Sequence, residues 1–367
     1  MKFACQRNSI LKEIAQALDF TSQRNSLSIL SYVLLETVDN RLTIKATDQK
    51  MGFTSSIEVE TIEEGSLCLY CDKLLGILRN MPDDTIIFEE KGELVTVSSA
   101  SRPIEFDLRS VGKEKFPPLQ VDTNHTYFSL SQKDFFEMIE QTIFAISDDE
   151  TRYFMNGLYL EQESTGLVMV GTDGKRLSYI NRKFEDGIPS FAPVIIPGKF
   201  LNLLKKQGTE EGQLAIALDE NIIFVKMGTQ LIYSNLIKGQ FPNYRRVIPA
   251  SQPNIAKFSI NDMNEALKRV SLLVENKAKR LFINIKEGEI VVSSEESEYG
   301  QAQEIIECEY EGESCEIALN YLYLTTPLRN MEGEMGSISF TDSNKAITLA
   351  PDPQKDYFHI VMPMQID

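Results

Sequence analysis

The stretch that decides the fold is LVMVGTDGK, residues 167–175, because LTIKATDQK, residues 42–50, precedes it by 125 residues. The same offset relates further segments along the chain: FACQRNSILKEIAQAL from residue 3 and FSLSQKDFFEMIEQTI from residue 128, Leu35-Glu36 and Leu160-Glu161, and Phe116-Pro117 and Phe241-Pro242. One shared offset over this much chain indicates an internal duplication.

A third copy begins at Phe258 with FSINDMNEALKRVSLL. The motif LRNM occurs at residues 78–81 and again at 328–331, which is twice the repeat length. The sequence therefore predicts three homologous domains of about 125 residues, with boundaries 1–122, 123–250 and 251–367.

Each copy opens with a short strand and a helix that has one apolar face. The inward residues are expected to be Ile10, Leu11, Ile14 and Leu18; Phe135, Phe136, Ile139 and Ile143; and Met263, Ala266, Leu267 and Val270. A second helix is predicted at DKLLGILRN, GKFLNLLKKQ and NYLYLTTPLRN, and the other segments alternate apolar and polar residues as half-buried strands do. We predict an α+β fold with antiparallel sheet and two helices in each copy.

The second helix of every copy carries cations near its end, namely Arg79, Lys205 and Lys206, and Arg329. A favourable interaction with the negative C-terminus of the helix explains any one of them. Their recurrence favours the alternative that these helices share one basic surface, and the pattern alone leaves both interpretations open.

The segment GTDGKRLSYI, residues 171–180, has the glycines and lysine of a phosphate-binding loop. Gly171 and Gly174 are too close together for that motif, and Arg176 stands where a hydroxyl is needed. Since ATDQKM at residues 46–51 is its counterpart in the first copy, we expect a hairpin turn at Asp173-Gly174.

Charge and composition limit the function classes. The net charge is −17, and residues 251–367 contribute 10 basic and 20 acidic residues. An acidic total argues against general affinity for nucleic acid but permits a local basic surface. With no long apolar run and no apolar leader after Met1, a cytoplasmic protein is expected.

Few residues are available for catalysis or metal binding. The chain has two histidines and five cysteines, and Cys68 and Cys71 form a single CxxC, which we interpret as two small residues at a strand end because a closed zinc site needs four ligands. We expect no catalytic residue, metal or cofactor.

Four motifs together carry a family resemblance: RYFMNG at 152–157, TDGKRL at 172–177, FPNYRRVIP at 241–249 and the terminal VMPMQID at 361–367. With the three repeats, they make the whole chain resemble the β sliding clamps of bacterial replicases, the processivity subunit of DNA polymerase III. The resemblance implies a non-catalytic, head-to-tail homodimeric ring of six domains, with sheets outside and helices facing encircled duplex DNA.

The resemblance also implies contact residues. The DNA-contacting residues would be Arg24, Arg79, Tyr153, Phe154, Lys199, Lys205 and Arg329. The dimer interface would include Lys73, Phe106, Leu108, Leu272, Leu273, Glu298 and Glu304. Lys73 could form charge pairs with Glu298 or Glu304.

A peptide-binding groove is the third implied site. Its residues would be Met155, Thr172, Gly174, Lys175, Arg176, Leu177, Pro242, Arg246, Val247, Asn320, Tyr323, Ile360, Val361, Met362, Pro363 and Met364. Short linear peptides of the DNA polymerase III α subunit, the clamp loader δ subunit, other DNA polymerases and mismatch-repair proteins would bind there. The Gln365-Ile366-Asp367 ending departs from the family pattern, and so does Asp72 before Lys73.

Two other hypotheses come from different classes: a nucleotide-dependent enzyme centred on residues 171–176, and a β-rich scaffold without a DNA role. Neither explains three repeats with cations at one recurrent helix end.

Overall fold

A computed structural model describes residues 1–22, 28–120, 125–164, 166–184, 188–209, 211–275 and 277–365. The chain divides into two compact units. Unit 1 comprises Met1–Lys133 and Lys199–Leu236, and unit 2 comprises Asp134–Gly198 and Ile237–Asp367.

The six α-helices of the described residues fall where the repeat predicts them, two in each copy. They are α1 (Arg7–Leu18), α2 (Cys71–Asn80), α3 (Gln132–Glu140), α4 (Gly198–Gln207), α5 (Ile260–Val270) and α6 (Tyr321–Asn330). In α5, every predicted inward residue is buried, as spacings of three and four residues require of one helix face.

Two details of the predicted helix faces are wrong. Leu11 and Leu18 of α1 are only half-buried, and Ala17 is buried in their place. Helix α3 ends at Glu140, so that Ile143 lies in a short 3-10 turn and is also half-buried. Leu18 is the last residue of α1, and Ile143 lies beyond the end of α3.

The strands follow the same repeat. The first copy contains β1 (Lys2–Gln6), β2 (Tyr32–Val38), β3 (Arg41–Thr47), β4 (Met51–Glu58), β5 (Glu60–Glu63), β6 (Gly65–Tyr70), β7 (Thr85–Lys91), β8 (Leu94–Ser99), β9 (Glu105–Arg109) and β10 (Val111–Gly112). The second contains β11 (Phe128–Ser131), β12 (Gly157–Glu163), β13 (Gly166–Thr172), β14 (Arg176–Lys183), β15 (Val194–Pro197), β16 (Gln213–Leu218), β17 (Ile222–Met227) and β18 (Gln230–Asn235). The third contains β19 (Asn254–Ser259), β20 (Arg280–Lys286), β21 (Glu289–Ser294), β22 (Gln303–Glu309), β23 (Cys315–Asn320), β24 (Met335–Phe340), β25 (Ile347–Asp352) and β26 (Tyr357–Val361).

All strand pairings among the described residues are antiparallel, which confirms the predicted sheet type. Unit 1 holds a sheet of order β5-β1-β7-β8-β9 and a second of order β10-β6-β2-β3-β4-β18-β17-β16-β11. Unit 2 holds one sheet of order β15-β12-β13-β14-β26-β25-β24-β19-β22-β21-β20-β23.

The sheets continue from one copy of the repeat into the next. Strand β4 of the first copy pairs with β18 of the second, and β14 of the second copy pairs with β26 of the third. The central copy is consequently shared between the two compact units, because each half of it is hydrogen-bonded to a different neighbour. The three-domain boundaries of the repeat therefore remain a prediction.

Candidate functional site

The segment between β13 and β14 is a tight turn held by its own side chains. The hydroxyl of Thr172 donates to the carbonyl of Arg176 at 2.6 Å and accepts from the amide of Gly174 at 3.1 Å. The carboxylate of Asp173 accepts from the amides of Lys175 and Arg176 at 2.8 and 3.1 Å. The loop amides are thus used within the turn, which confirms a hairpin and leaves no phosphate cradle.

The counterpart turn in the first copy has the same bonding. Thr47 donates to the carbonyl of Met51 and accepts from the amide of Gln49, while Asp48 accepts from the next two amides. Gln49 has φ +73° where Gly174 has φ +88°. A left-handed glutamine is costly, so the Thr-Asp pair determines this turn and the glycine only eases it.

An apolar cluster lies beside the turn on one face of the unit 2 sheet. Leu177 of β14 and Ile360 of β26 are cross-strand partners, each about 2% exposed. They pack with Val170, Phe241 and Tyr244. The segment FPNYRRVIP thus covers the sheet where β14 meets β26.

The structure brings all sixteen predicted groove residues into unit 2. Five of them are buried, and they shape the floor rather than offer side chains at the surface: Met155, Thr172, Leu177, Ile360 and Val361. The others are half-buried or exposed, including Val247 at 48% and Met362 at 42%. Exposed aliphatic and thioether groups above a buried apolar floor suit an adaptable peptide site.

Backbone hydrogen bonds fix the C-terminal side of this groove. The amide of Met362 donates to the carbonyl of Lys175 at 2.9 Å, and that of Met364 donates to Ala318 at 2.8 Å. The last residues before the end of the described chain are therefore held against the turn that precedes β14 and against β23.

Arg176 and Tyr323 form the polar wall. The guanidinium lies 4.6 Å from the centre of the Tyr323 ring and its Nε is 3.0 Å from Asp173 Oδ2. Burial and the nearby Asp173 carboxylate raise the pKa of Tyr323, so its hydroxyl stays protonated. Asn320 has a structural role as well, because its side chain caps α6 by accepting from the amide of Leu322.

A buried carboxylate under the groove was missed in the sequence. Glu161, 8% exposed, accepts from the hydroxyls of Tyr244 and Tyr159 and from Nη2 of Arg245 at 2.6 Å. Burial and this carboxylate raise the pKa of Tyr159 to about 12 and raise that of Tyr244 as well. Glu161 was visible as a repeat marker, but two of its partners, Tyr244 and Arg245, are more than 80 residues away in the chain.

The corresponding strand pair in unit 1 has no such groove. Gly52 stands at the repeat position of Leu177, and its cross-strand partner is Tyr233. The Tyr233 ring lies over Gly52, where a Cβ would come within 2.2 Å of Cε1. The ring packs with Phe224 and Ala217 and is 5% exposed, so the equivalent volume is filled.

The predicted DNA-contacting cations differ in their partners. Arg79 and Arg329 are exposed in the last turns of α2 and α6 and make no ion pair with a described residue. Lys199 is 3.1 Å from Asp48 and partly neutralised. Lys205 is half-buried, and Arg24 lies outside the described residues.

The two aromatic residues predicted to contact DNA lie in a 3-10 segment, Glu150–Met155. Tyr153 is 53% exposed, whereas Phe154 is half-buried against the groove cluster. Asp149 caps this segment and pairs with Arg152 at 3.0 Å. Hydrogen bonds from Thr151 and the ion pair with Arg152 lower the pKa of Asp149, so that it stays charged.

The predicted interface residues lie on β9, β22 and α2 and in the segments that follow α5 and β21. Phe106 is 40% exposed on β9, Leu108 is half-buried, and Leu272 is 81% exposed after α5. Leu273 is half-buried, and Lys73 and Glu298 are exposed. Glu304 is held within the chain by Arg269, with Nη2 2.6 Å and Nε 2.8 Å from its carboxylate.

Cys68 and Cys71 are buried free thiols at the junction of β6 and α2, which confirms the structural interpretation of the CxxC. Burial raises the pKa of each to about 12. Within the described ranges no group of acidic, histidine and cysteine residues is arranged to hold a metal ion. No helix in the described part of the chain has the length and apolar character of a membrane span.

Comparison with known proteins gives one consistent result. Models of the DNA polymerase III beta subunit match in order: its N-terminal domain at residues 1–120, its central domain at 129–243 and its C-terminal domain at 245–365. The beta sliding clamp of Treponema pallidum is 40% identical and that of Haemophilus influenzae 29% identical, each covering 100% of both chains. The crystal structure of a sliding clamp from Pseudomonas aeruginosa bound to griselimycin has 27% identity, a TM-score of 0.94 and 100% coverage of both chains. Because the family models span nearly all of its length in the order that the repeat predicts, the chain belongs to the bacterial DNA polymerase III beta subunit family, the beta sliding clamps.

Proposed function

We propose that two copies of this chain join head to tail into a ring that encircles duplex DNA and makes a replicative polymerase processive. Each copy contributes three domains, 1–122, 123–250 and 251–367. The role is non-catalytic, with no cofactor, and is exercised in the cytoplasm.

The main support for the proposed ring is the pattern of strand pairing. In the repeat, β4, β14 and β22 are equivalent strands, and so are β9, β18 and β26. The pairs β4–β18 and β14–β26 form within the chain. Strand β9 ends its sheet with no second partner among the described residues, and the first half of β22 pairs only with β21.

Repetition of the same pairing between two chains would use both remaining strands. Joining β9 of one copy to β22 of another twice closes a symmetric dimer in which neither of these two edges stays exposed, and exposed edges promote aggregation. Exposed Phe106 on β9 and Ile305 on β22, at 40% and 55%, supply apolar contact area. Lys73 and Glu298 remain available for a charge pair, whereas Glu304 is already bound to Arg269.

Charge supports encirclement rather than surface binding of DNA. The net charge of the protein is −17, so the protein repels DNA that approaches its surface at random. Arg79 and Arg329, free of ion pairs with described residues, occupy equivalent helix ends and present positive charge to phosphates without reading bases.

The groove in unit 2 would tether partners by short linear peptides. The DNA polymerase III α subunit, the clamp loader δ subunit, other DNA polymerases and mismatch-repair proteins are the proposed partners. Deleting residues 363–367 should weaken binding of a polymerase peptide at least tenfold while leaving the dimer intact, because Met364 would no longer be held at Ala318. Unchanged peptide affinity would contradict this groove assignment.

Retention on circular DNA tests the ring. The purified chain, loaded by a clamp loader onto nicked circular DNA, should remain bound during gel filtration and dissociate when the DNA is linearised. Equal retention on both forms, or a monomer at micromolar concentration, would overturn the proposal.

A pair of matched variants tests whether the edge strand β9 forms the dimer interface. Phe106→Asp places a charge on β9 and should yield a monomer that is not retained. Val38→Asp changes an apolar residue that is 56% exposed elsewhere in the same unit, and should leave both dimer and retention unchanged. Equal behaviour of the two variants would show that β9 is not the interface.

A further inference from the structure

A cavity of about 480 Å³ lies in unit 2, where α5 begins and α6 ends. Asn264, Leu328, Arg329 and Glu334 are among the residues that line it, and none of its lining residues belongs to the candidate peptide groove. The last carbonyls of a helix have no partner within the helix. The end of α6 therefore needs hydrogen-bond donors from outside the helix.

The first copy of the repeat shows how the same place can be filled. Arg7 is the first residue of α1, and its amide donates to the carbonyl of Asp84 at 3.0 Å. Its guanidinium donates from Nε to the carbonyl of Leu78 at 2.9 Å and from Nη2 to that of Arg79 at 3.0 Å. One arginine side chain thus caps the end of α2 with two charge-assisted hydrogen bonds.

The third copy lacks this donor. Ile260 stands at the position of Arg7, because it begins α5 and its amide donates to the carbonyl of Glu334 at 2.9 Å. The side chain of Ile260 is 6% exposed and has no polar atom. Leu328 and Arg329 correspond to the residues that Arg7 caps, since both pairs lie in the motif LRNM. The cavity thus occupies the place that an arginine side chain fills in the first copy.

Asn264 is an incomplete substitute for that arginine. Its Nδ2 donates to the carbonyl of Leu328, but the bond is long at 3.5 Å. Its Oδ1 is buried and has no hydrogen-bond partner among the described residues. The carbonyl of Arg329 also receives no hydrogen bond from the described residues. Unused acceptors at the negative end of a helix favour a cationic donor.

The charges of the lining select the kind of cation. Glu334 is exposed and makes no ion pair with a described residue, so its carboxylate attracts a cation. The side chain of Arg329 opposes this attraction, and recognition therefore depends on directed hydrogen bonds. A planar guanidinium holds its donors in a fixed fork, which suits two neighbouring carbonyls better than an ammonium group does.

We propose that this cavity binds an alkylguanidinium group, carried by an arginine of another protein or by a free arginine-like molecule. The bound group takes the place of Arg7, donates to the carbonyls of Leu328 and Arg329, and brings its charge near Glu334. The inference depends neither on the peptide groove nor on the ring.

Binding of N-acetylarginine methylamide to the isotope-labelled full-length chain tests the proposal by NMR. The backbone amide of Gly333, which lines the cavity, should shift until the site is saturated. The arginine compound should bind at least about tenfold more tightly than its citrulline counterpart, which is neutral and similar in shape. Absence of a saturable shift, or equal affinity of the two compounds, would overturn the inference.

Free arginine, titrated in the same way, distinguishes the two sources of the group. Tighter binding of free arginine than of the blocked compound identifies a small molecule as the ligand. Weaker binding identifies an arginine within a protein chain, whose backbone carries neither of the two extra charges. Both results support the site.

Two variants and a matched control assign binding to this cavity. Ile260→Arg restores the arginine of the first copy and should weaken binding at least about tenfold by filling the cavity. Glu334→Gln, at an exposed position that leaves the core intact, should weaken it about threefold. Ile255→Arg, at an isoleucine 49% exposed on β19 outside the cavity, should leave the affinity unchanged. Wild-type affinity in folded Ile260→Arg or in Glu334→Gln would overturn the inference.

Discussion

Gly52→Ala provides a sharp test of how the first strand junction is filled. The added Cβ would lie 2.2, 2.4 and 2.7 Å from Cε1, Cζ and Oη of Tyr233, whereas an ordinary contact begins near 3.4 Å. The ring would have to move by about 1 Å, and Phe224 and Ala217 oppose that movement.

The expected magnitude combines two opposite effects. Overpacking a filled site costs about 3 kcal/mol at the upper end of its usual range. Replacing a strand glycine by alanine also stabilises the fold by about 1 kcal/mol, because alanine lowers the conformational entropy of the unfolded chain. We expect Gly52→Ala to destabilise by about 2 kcal/mol, and Gly76→Ala, an exposed site in α2 with nothing within 4 Å, to stabilise by about 0.5–1 kcal/mol.

A double-mutant cycle separates the ring from other causes. In a Tyr233→Ala background the same Gly52→Ala change meets no ring and should stabilise by about 1 kcal/mol, which gives a coupling energy of about 3 kcal/mol. Because the chain forms two compact units, global unfolding is a poor measure. Amide hydrogen exchange of β4 and β18 reads the local opening free energy instead. Equal costs of Gly52→Ala in both backgrounds would refute the steric explanation.

Three further predictions concern other buried groups. Glu161→Ala should weaken peptide binding about tenfold in a fluorescence titration, since the Tyr244 hydroxyl is left buried without its acceptor, whereas Glu161→Gln should retain most of the affinity. Burial lowers the pKa of His359 to about 3, so the unfolded chain binds the extra proton below about pH 6.5, and stability should fall by up to about 1.4 kcal/mol per pH unit from there toward pH 3 in acid titration of the wild type but less in His359→Asn. Cys68 and Cys71, with pKa values raised to about 12, should resist alkylation at neutral pH until the chain is unfolded, as counted by mass spectrometry, and rapid native labelling would contradict their burial.

The sequence predicts the helices and strands well because each pattern occurs in three copies of the repeat. The helices, the antiparallel strands and the Thr-Asp turns follow from an offset of 125 residues and from the periods of apolar residues. The division into compact units does not follow, because pairings such as β4 with β18 join segments that no local pattern connects.

The polar support of the groove was also out of reach of sequence reasoning. Resemblance selects the residues of the groove, but it does not show that Asn320 caps a helix or that Arg176 is held by Asp173. Nor does periodicity reveal that a large ring lies over Gly52. Such facts depend on side-chain contacts between distant strands, and these appear only when the chain is folded.

The contacts of Glu161 help to explain why the candidate groove forms at the junction of β14 and β26 and not at that of β4 and β18. Glu36 and Glu161 occupy equivalent places in the first two copies of the repeat, but their partners differ. Glu36 pairs with Lys45 of the neighbouring strand at 2.5 Å and closes that face of the sheet. Val170 stands at the position of Lys45, so that Glu161 is free to hold Tyr244 and Arg245 of the FPNYRRVIP segment.

The difference between Lys45 and Val170 changes the surface of this sheet face. With Lys45 absent, the floor becomes apolar, and the segment held by Glu161 rises above it as a wall ending in exposed Val247. In the first copy, Phe116 packs with Leu34, and Leu119 packs against the Tyr233 ring, so that the corresponding face is filled. Among the described residues, the repeated fold thus offers the candidate groove where β14 meets β26 and fills the equivalent place where β4 meets β18.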